Sequence, residues 1–231
     1  MCTIVRYSFL YLSRFIREAF FDGIILDRKS LRTLNGRNWL DDTIVDFFLR
    51  YYCQLAERKR GGEKSFFPFS SIFHQKLLVN GSLKDRPVSL SSFNIHEVEE
   101  FAPTQMWKLK YIFVPICDRL HWWLFAYEVQ TGYLYVLCSL GLQSHDVARS
   151  MKRYFMQVRQ DQRWPEEIPQ ISEPIYPNVA RQTNSHDCGV FVIEYARRIT
   201  EGVHIGPDLV NGAAVQKRRP HLRKVIKSIA Y

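Results

Sequence analysis

The chain has 231 residues and a formal net charge of +9; 46% of its residues are hydrophobic and 24% are charged. This composition, with 16 Phe, 12 Tyr and 5 Trp, supplies enough apolar surface for one folded domain and argues against a disordered chain. No uninterrupted apolar stretch of about 18 residues occurs, so the sequence predicts no membrane-spanning segment.

The amino-terminal residues are apolar, but Arg6, Arg14 and Arg17 interrupt them and no small-residue cleavage site follows. We interpret residues 1–25 as an amphipathic or irregular segment of uncertain role. A mitochondrial presequence is the alternative, because the segment is rich in arginine and poor in acidic residues. A single domain is then expected over residues 26–231.

Two helices are predicted in the first third of the chain. The stretch NWLDDTIVDFFLRYYCQLAERK (38–59) has Asn38 as a possible cap, acidic residues in its first turn, and apolar residues at helical spacing, namely Ile44, Phe48, Tyr51 and Leu55. Residues 66–79 are expected to hold a second, short helix after Pro68.

The centre of the chain has the pattern of β-strands. Residues 111–116, 122–129 and 133–140 are short runs rich in aromatic and β-branched residues, and the sequence QTG between the last two predicts a tight turn. Residues 174–179 form a further candidate strand.

Helices are predicted again after these strands. Residues 144–160 place Ser144 as a cap and an apolar face formed by Val147, Met151, Tyr154, Phe155 and Val158. Residues 189–200 predict a last helix that is apolar almost all round at its start. Strands between helices at both ends indicate an α+β domain.

The carboxy-terminal residues 209–231 contain no acidic residue and two thirds of the excess positive charge, carried by Lys217, Arg218, Arg219, Arg223, Lys224 and Lys227. Such a patch attracts an acidic protein, nucleic acid or an anionic membrane. A solvated basic helix explains it equally well. Nucleic-acid binding is disfavoured as the main role because no stacking-aromatic or helix-turn-helix signature accompanies the charge.

The five cysteines are an odd number without a CxxC pair, in a chain large enough to fold without disulfides. We therefore expect reduced thiols, as in the cytosol or nucleus. The seven histidines are scattered, and none pairs with a cysteine at zinc-finger spacing. We expect neither a metal site nor a cofactor.

Cys188, in the stretch RQTNSHDCGVF (181–191), is predicted at the first turn of the last helix, with Asp187 as its cap and Gly189 allowing close backbone approach. The amide groups and macrodipole at a helix amino terminus favour a thiolate, which a nucleophilic cysteine needs. A buried structural cysteine ahead of a core helix explains the same position.

Two further residues could complete a site. His121 lies at the mouth of a predicted strand, where its imidazole could take the proton of the Cys188 thiol and later protonate a leaving amine. Gln182 could donate a hydrogen bond to the oxyanion of a tetrahedral intermediate. Taken alone, His121 is also consistent with a packed histidine and Gln182 with an ordinary loop residue.

Four ordered blocks resemble the ubiquitin-like-protein-specific cysteine proteases, also called SUMO or sentrin proteases: NWLDDTIVDFFLRYY, YIFVPICDRLHWWLFAYEV, YVLCSLG and RQTNSHDCGVFVIEYA. The resemblance runs from about Leu26 to Ile199. It implies a papain-like α+β fold, with a central mixed or antiparallel sheet flanked by helices, and a protease domain over 26–231. It also implies cleavage after the terminal Gly-Gly of a SUMO-like modifier.

The resemblance further implies that Cys188 is the nucleophile, His121 the base and Gln182 the oxyanion donor. Trp39 and Trp122 resemble the two indoles of a narrow tunnel over the diglycine. Flat aromatic walls would admit only residues without side chains. As the alternative, both tryptophans are ordinary core residues. Asp41, in the same block as Trp39, is expected to bind substrate.

One position departs from the family pattern. The block that usually reads Asp-Ser-Leu reads CSL here, so Cys138 stands where a carboxylate would orient the histidine. A neutral thiol is a weak acceptor and cannot stabilise an imidazolium as a carboxylate does. Glu128 lies roughly 23 Å along the strand from His121 and cannot replace that carboxylate. Asp118, just before the histidine, is closer.

Two functional classes therefore compete. The first is a working but slowed protease that deconjugates isopeptides, processes precursors or does both; loss of an orienting carboxylate costs up to about 10⁴ in turnover. The second is a degenerate member that binds the modifier without useful turnover. Retention of His121, Gln182, Cys188 and both tryptophans favours the first. His186 is a loop residue whose charge could tune the thiol. We expect a monomer in the nucleus or cytoplasm, without membrane association.

Overall fold

A four-stranded mixed sheet with helices on both faces organises the protein. The structure is a computed structural model and describes residues 19–77, 102–118 and 120–229. In chain order the elements are β1 (Ala19–Phe21), β2 (Ile24–Leu26), α1 (Arg28–Thr33), α2 (Asp42–Lys59), β3 (Phe66–Pro68), α3 (Ile72–Leu77), a 3₁₀ turn (Met106–Lys108), β4 (Tyr111–Asp118), β5 (His121–Glu128), β6 (Tyr133–Leu137), α4 (His145–Asp161), α5 (Cys188–Thr200), α6 (Gly212–Val215) and α7 (Arg219–Ile229).

The sheet has the strand order β3-β4-β5-β6. β3 runs parallel to β4, whereas β4, β5 and β6 are antiparallel neighbours. The β4–β5 hairpin places Cys117 opposite Trp122 and Asp118 opposite His121. The predicted α+β class, with a mixed sheet flanked by helices, is confirmed.

Each central strand contributes to two cores, because successive side chains point to opposite faces of a sheet. Phe113 and Leu124 belong to one core, which also contains residues of α2, α5 and α7. Val114 and Phe125 belong to the other, which contains residues of α3 and α4. Since both faces are buried, β4 and β5 read in the sequence as continuous apolar runs.

The three central strand predictions are confirmed, although β6 ends at Leu137 and not at residue 140. The helix after Pro68 is confirmed as α3, but β3 was not predicted; residues 78 and 79 lie outside the described part of the chain. The strand predicted over 174–179 is wrong, because this segment makes only an isolated bridge between Ile175 and Tyr135. Pro174 and Pro177 lack the N–H groups that a longer ladder needs.

Helix α2 begins three residues later than predicted, and Asn38 is not its cap. Asp41 is the cap: its carboxylate accepts a hydrogen bond from the Ile44 backbone N–H at 3.1 Å. The Asn38 amide instead donates to the Arg32 carbonyl at 3.0 Å. Ser144 occupies the cap position of α4, as predicted, but makes no capping bond with its side chain. The predicted apolar face of α4 is buried.

The β1–β2 hairpin packs against the first core through Phe21 and Ile24. The end of the segment expected to be amphipathic or irregular is therefore paired strand. Residues 1–18, which include the three arginines of the presequence alternative, lie outside the described residues. Among the described helices, none is long and apolar enough to cross a membrane.

Candidate active site

Cys188 is the first residue of α5, and its side chain is buried. A methyl group added at Gly189, the next residue, would lie 3.2 Å from Trp122 Cδ1, so Cys188 lies near the start of β5. Burial raises the pKa of Cys188, and the backbone N–H groups of Trp122 and Gly189 only partly oppose this rise. The thiol therefore rests in its neutral form at neutral pH.

Asp187 occupies the cap position of α5, as predicted, but the prediction that its side chain caps the helix is wrong. The carboxylate is occupied elsewhere: Oδ1 accepts from Arg219 Nε at 2.8 Å and Oδ2 accepts from Asn184 Nδ2 at 2.9 Å. His186 Nε2 lies 3.9 Å from Asp187 Oδ2, so this ring faces the same carboxylate. The residue before Cys188 is thus held by an ion pair with a distant helix.

His121 is the first residue of β5, and its ring is buried with an edge-on contact to Trp123 at 5.7 Å between centroids. Its Nε2 lies 3.2 Å from Cys138 Sγ. Burial lowers the pKa of His121, so the imidazole is neutral at neutral pH. Asp118 lies opposite His121 in the hairpin, but the polar contact that the structure shows for the ring is the one to Cys138.

Cys138 follows β6 directly and is buried. Burial raises the pKa of its thiol, against the backbone N–H groups of Leu140, Leu142 and Gly141 and the charge of Arg181, which lower it. Glu128 is at the far end of β5, where it accepts a hydrogen bond from the Tyr111 hydroxyl at 2.5 Å. The structure therefore places the sulfur of Cys138, and not a carboxylate of Asp118 or Glu128, in contact with the His121 ring.

The Gln182 side chain is buried and oriented by two hydrogen bonds. Its Oε1 accepts from Ser139 Oγ and its Nε2 donates to the Asn184 carbonyl, both at 2.6 Å. The Gln182 backbone N–H also donates to the Ser139 carbonyl at 2.9 Å. Because Ser139 follows Cys138, these bonds join the loop before α5 to the end of β6, and they leave the second N–H of the Gln182 carboxamide for another acceptor.

The two tryptophans differ in exposure. Trp122 is buried and its indole N–H donates to the Leu40 carbonyl at 3.1 Å. Trp39 is 46% exposed, and its indole N–H donates to the Ser185 carbonyl at 2.7 Å. A methyl group added at Gly189 would lie 3.2 Å from Trp122 Cδ1 and 3.1 Å from Leu40 Cβ. Trp122, Leu40 and Gly189 are therefore packed together beside the thiol.

Asp41 stands two residues after Trp39, and its carboxylate caps α2. The structure thus assigns this side chain a bond within the protein, and its expected contact with substrate stays a prediction.

Arg219 was not recognised from the sequence, where it was grouped with an exposed basic tail. The structure buries it, and Arg218 beside it pairs with Glu194 at 2.8 Å. Two of the six basic residues of the tail are therefore satisfied within the protein, which corrects the interpretation of the tail as one solvated patch. A signal was present: Arg219, Leu222 and Ile226 are spaced as one face of a helix, and all three are buried.

Comparisons with known proteins agree with this architecture. The Ulp1 protease family, C-terminal catalytic domain, matches residues 38–230. Sentrin-specific protease 5 of Mus musculus is 22% identical over 179 residues, which are 77% of this chain and 21% of that protein. Ubiquitin-like-specific protease 1A of Arabidopsis thaliana is 26% identical over 194 residues, 79% of this chain and 36% of that protein. The chain thus spans about a fifth to a third of the length of these relatives.

Two solved structures share the fold, and the family match covers most of the chain. The C-terminal Ulp1 protease domain in complex with Smt3, the yeast orthologue of SUMO, has a TM-score of 0.69 and 21% identity, over 92% of this chain and 87% of that one. The catalytic domain of the Chaetomium thermophilum Ulp1-like SUMO protease has a TM-score of 0.73 and 23% identity, over 92% and 83% of the two chains. The predicted papain-like fold is therefore confirmed, and the chain belongs to the Ulp1 protease family, whose C-terminal catalytic domain it contains.

Proposed function

We propose that the chain is a thiol protease that hydrolyses the peptide or isopeptide bond after the terminal Gly-Gly of a SUMO-like modifier. The observation that carries this proposal is the packing of Gly189 against Trp122, because it brings the start of α5, where Cys188 lies, next to the residue that follows His121. The substrate class rests on the relatives, which are named as sentrin-specific and ubiquitin-like-specific proteases.

The resting site is a neutral pair. Burial raises the pKa of Cys188 and lowers that of His121, so the thiol keeps its proton and the imidazole is free to accept it. His121 Nε2 faces Cys138, which leaves Nδ1 as the ring nitrogen for the Cys188 proton. In this proposal the base forms the thiolate during the reaction.

The reaction then follows from these positions. The Cys188 sulfur attacks the carbonyl carbon of the terminal glycine while its proton moves to His121. The Cys188 backbone N–H and the second N–H of Gln182 donate to the oxyanion. The imidazolium protonates the leaving amine as the C–N bond breaks. Water, deprotonated by His121, hydrolyses the thioester and releases the modifier carboxylate and the free thiol.

Trp39 and Trp122 are proposed as walls of the slot that holds the diglycine. Each indole N–H is bound by a backbone carbonyl, so both rings are fixed before substrate arrives. A rigid slot excludes side chains larger than hydrogen and so selects Gly-Gly. Asp41 supports this slot by capping α2 beside Trp39 and Leu40.

The contact between the Cys138 sulfur and His121 Nε2 favours a second candidate function. Its sulfur can accept from Nε2–H of His121, but its S–H can also donate to Nε2, which would leave the ring proton on Nδ1 and block proton transfer from Cys188. A wrong tautomer costs up to about 10⁴ in turnover. If turnover falls that far, the protein binds the modifier without useful cleavage, which is the second candidate function.

A modifier with a carboxy-terminal propargylamide separates the two functions. A working site forms a covalent adduct at Cys188 under reducing conditions, detected by intact mass, and Cys188→Ala forms none. Binding of the modifier without any adduct would establish the degenerate member. Absence of both binding and adduct across several SUMO-like modifiers would overturn the proposed substrate class.

We also propose an acidic modifier as the partner of a monomeric chain in the nucleus or cytoplasm. Cys53, Cys117, Cys138 and Cys188 are free thiols in the structure, as a reducing compartment would keep them. Lys217, Lys224 and Lys227 are exposed and would steer an acidic partner. The association rate should fall with salt, and light scattering should report a monomer; salt-dependent binding of nucleic acid alone would contradict this choice of partner.

A further inference from the structure

Arg219 is the first residue of α7 and one of the most buried cations in the described part of the chain, with only 6% of its surface exposed. Its guanidinium makes four hydrogen bonds of 2.7 to 2.8 Å. Nε donates to Asp187 Oδ1, Nη1 donates to the Thr33 carbonyl, and Nη2 donates to the carbonyls of Asn38 and His186.

These bonds join two loops that meet at the site. Asn38 directly precedes Trp39, and His186 and Asp187 directly precede Cys188. Arg219 Nη2 bridges the two loops by donating to one carbonyl from each. The bond from the Trp39 indole to the Ser185 carbonyl is a second tie between the same loops, and it lies on the exposed side.

The guanidinium suits this task. It is planar, always charged and presents its donors in a fixed fork, so its bonds to two loops fix their separation as well as their contact. A lysine ammonium is a single point and cannot reach the same acceptors with the same directions. Because Asp187 is buried as well, each charge needs the other to remain in the interior.

We propose that Arg219 is a positioning residue that sets the distance between the Trp39 wall and the nucleophile, and thereby the width of the slot. The expected effect of Arg219 on cleavage rests on the proposed function. The expected effect of Arg219 on the access of reagents to Cys188 does not. Loss of the fork should let the Trp39 loop move away from the Cys188 loop, which misplaces the thiol and widens the slot.

The cleavage experiment compares Arg219→Lys with Arg218→Lys. Arg218 also pairs with a buried carboxylate, that of Glu194, but reaches neither loop, so it is a matched control. For Arg219→Lys we expect kcat/KM on a Gly-Gly modifier to fall about 10- to 100-fold, as displacements of about 1 Å do. The preference for Gly-Gly over Gly-Ala ends should fall as well. This ratio does not depend on the folded fraction, so a purely structural role would not change it.

A second readout needs no turnover. The alkylation rate of Cys188 by iodoacetamide, relative to the bulkier N-phenylmaleimide, measures the slot by mass spectrometry. We expect Arg219→Lys to raise the relative rate of the bulky reagent severalfold and Arg218→Lys to leave it unchanged. If the wild type neither cleaves nor traps a modifier, the proposed function fails and this ratio still decides the role of Arg219.

The double variant Arg219→Met with Asp187→Asn covers the case in which Arg219→Lys does not fold, because it removes both buried charges together. A folded double variant should also lose the preference for small reagents and for Gly-Gly. Unchanged ratios in a folded Arg219 variant, single or double, would overturn the proposal.

Discussion

His121 Nε2 lies 3.2 Å from the sulfur of Cys138. Both groups are buried, and burial alone accounts for the lowered pKa of His121. The contact fixes the ring without supplying charge. In the proposed function this contact limits turnover. One prediction follows from the contact, and three follow from other buried positions.

Cys138→Asp should raise turnover. A carboxylate accepts from Nε2–H, selects the tautomer that leaves Nδ1 free, and stabilises the imidazolium. We expect kcat on a Gly-Gly substrate to rise by about tenfold or more, within the roughly 10⁴-fold range known for orienting carboxylates. The acid limb of the pH–rate profile should move to higher pH, because the new charge raises the pKa of His121.

Cys117→Asp is the control for the new charge. Cys117 is half-buried on β4, where it lies opposite Trp122 and not at the His121 ring. It should not raise turnover. An unchanged or lower rate in folded Cys138→Asp would show that position 138 does not orient the histidine.

The alkylation of Cys188 should report a neutral resting pair. Since burial raises the pKa of Cys188 above its ordinary value of 9.0, the rate with iodoacetamide should still be rising at pH 9. On acidification, kcat/KM should fall only as His121 is protonated, below its ordinary pKa of 6.5. Cys188→Ala identifies the peptide that carries the signal, and a rate already at its plateau near pH 6 would instead indicate a thiolate–imidazolium pair.

His74 should make the fold sensitive to acid. Burial lowers its pKa to about 4 from 6.5, so the unfolded chain takes up the proton first and stability is lost as pH falls from 6.5 towards 4. The loss is at most about 3 kcal/mol in the free energy of unfolding. His74→Gln should flatten this part of the pH profile in urea denaturation, whereas the exposed His204→Gln should not.

Asp46 changes the stability of the fold with pH in the direction opposite to His74, over an overlapping pH range. Burial raises its pKa to about 6 from 3.8, so its contribution to stability is full below 3.8 and is lost as pH rises through 6. The difference between wild type and His74→Gln therefore isolates the histidine. A pH profile that is the same in both proteins would contradict the assignment to His74.

Gly189→Ala should disturb the packing beside the thiol. Its methyl group would lie 3.1 Å from Leu40 Cβ and 3.2 Å from Trp122 Cδ1, and neither atom is the far end of a flexible chain. We expect a loss of about 1–3 kcal/mol in stability, as for other overpacked sites, and slower trapping of the modifier probe. Gly206→Ala, with its nearest contact at 3.9 Å, is the control; equal effects of the two changes would exclude tight packing as the cause.

The helices and central strands were predictable because their signals are local. The faces of α2 and α4 and the apolar runs of β4 and β5 follow from spacing within each segment. β3 was missed because three residues paired in parallel with a strand more than 40 positions away have no local pattern. The strand expected over 174–179 was reduced to a bridge by its prolines.

The sequence proposes a set of site residues, whose roles stay a prediction, but it does not show their contacts. The order of the motifs points to Cys188, His121, Gln182 and Cys138, and the structure adds the 3.2 Å contact between His121 and Cys138. Asp187 was expected to cap α5, but an arginine 32 positions later binds its carboxylate. A long-range ion pair of this kind outweighs a local capping preference, and a single sequence shows only the local preference.

The neutral thiol of Cys188 has a consequence for how the protein ages. Peroxide oxidises thiolates far faster than thiols, and the progression from sulfenic to sulfonic acid starts from the thiolate. In the proposed mechanism Cys188 loses its proton only as it attacks the substrate, so the resting thiol stays neutral. Peroxide should therefore inactivate the substrate-free protein slowly.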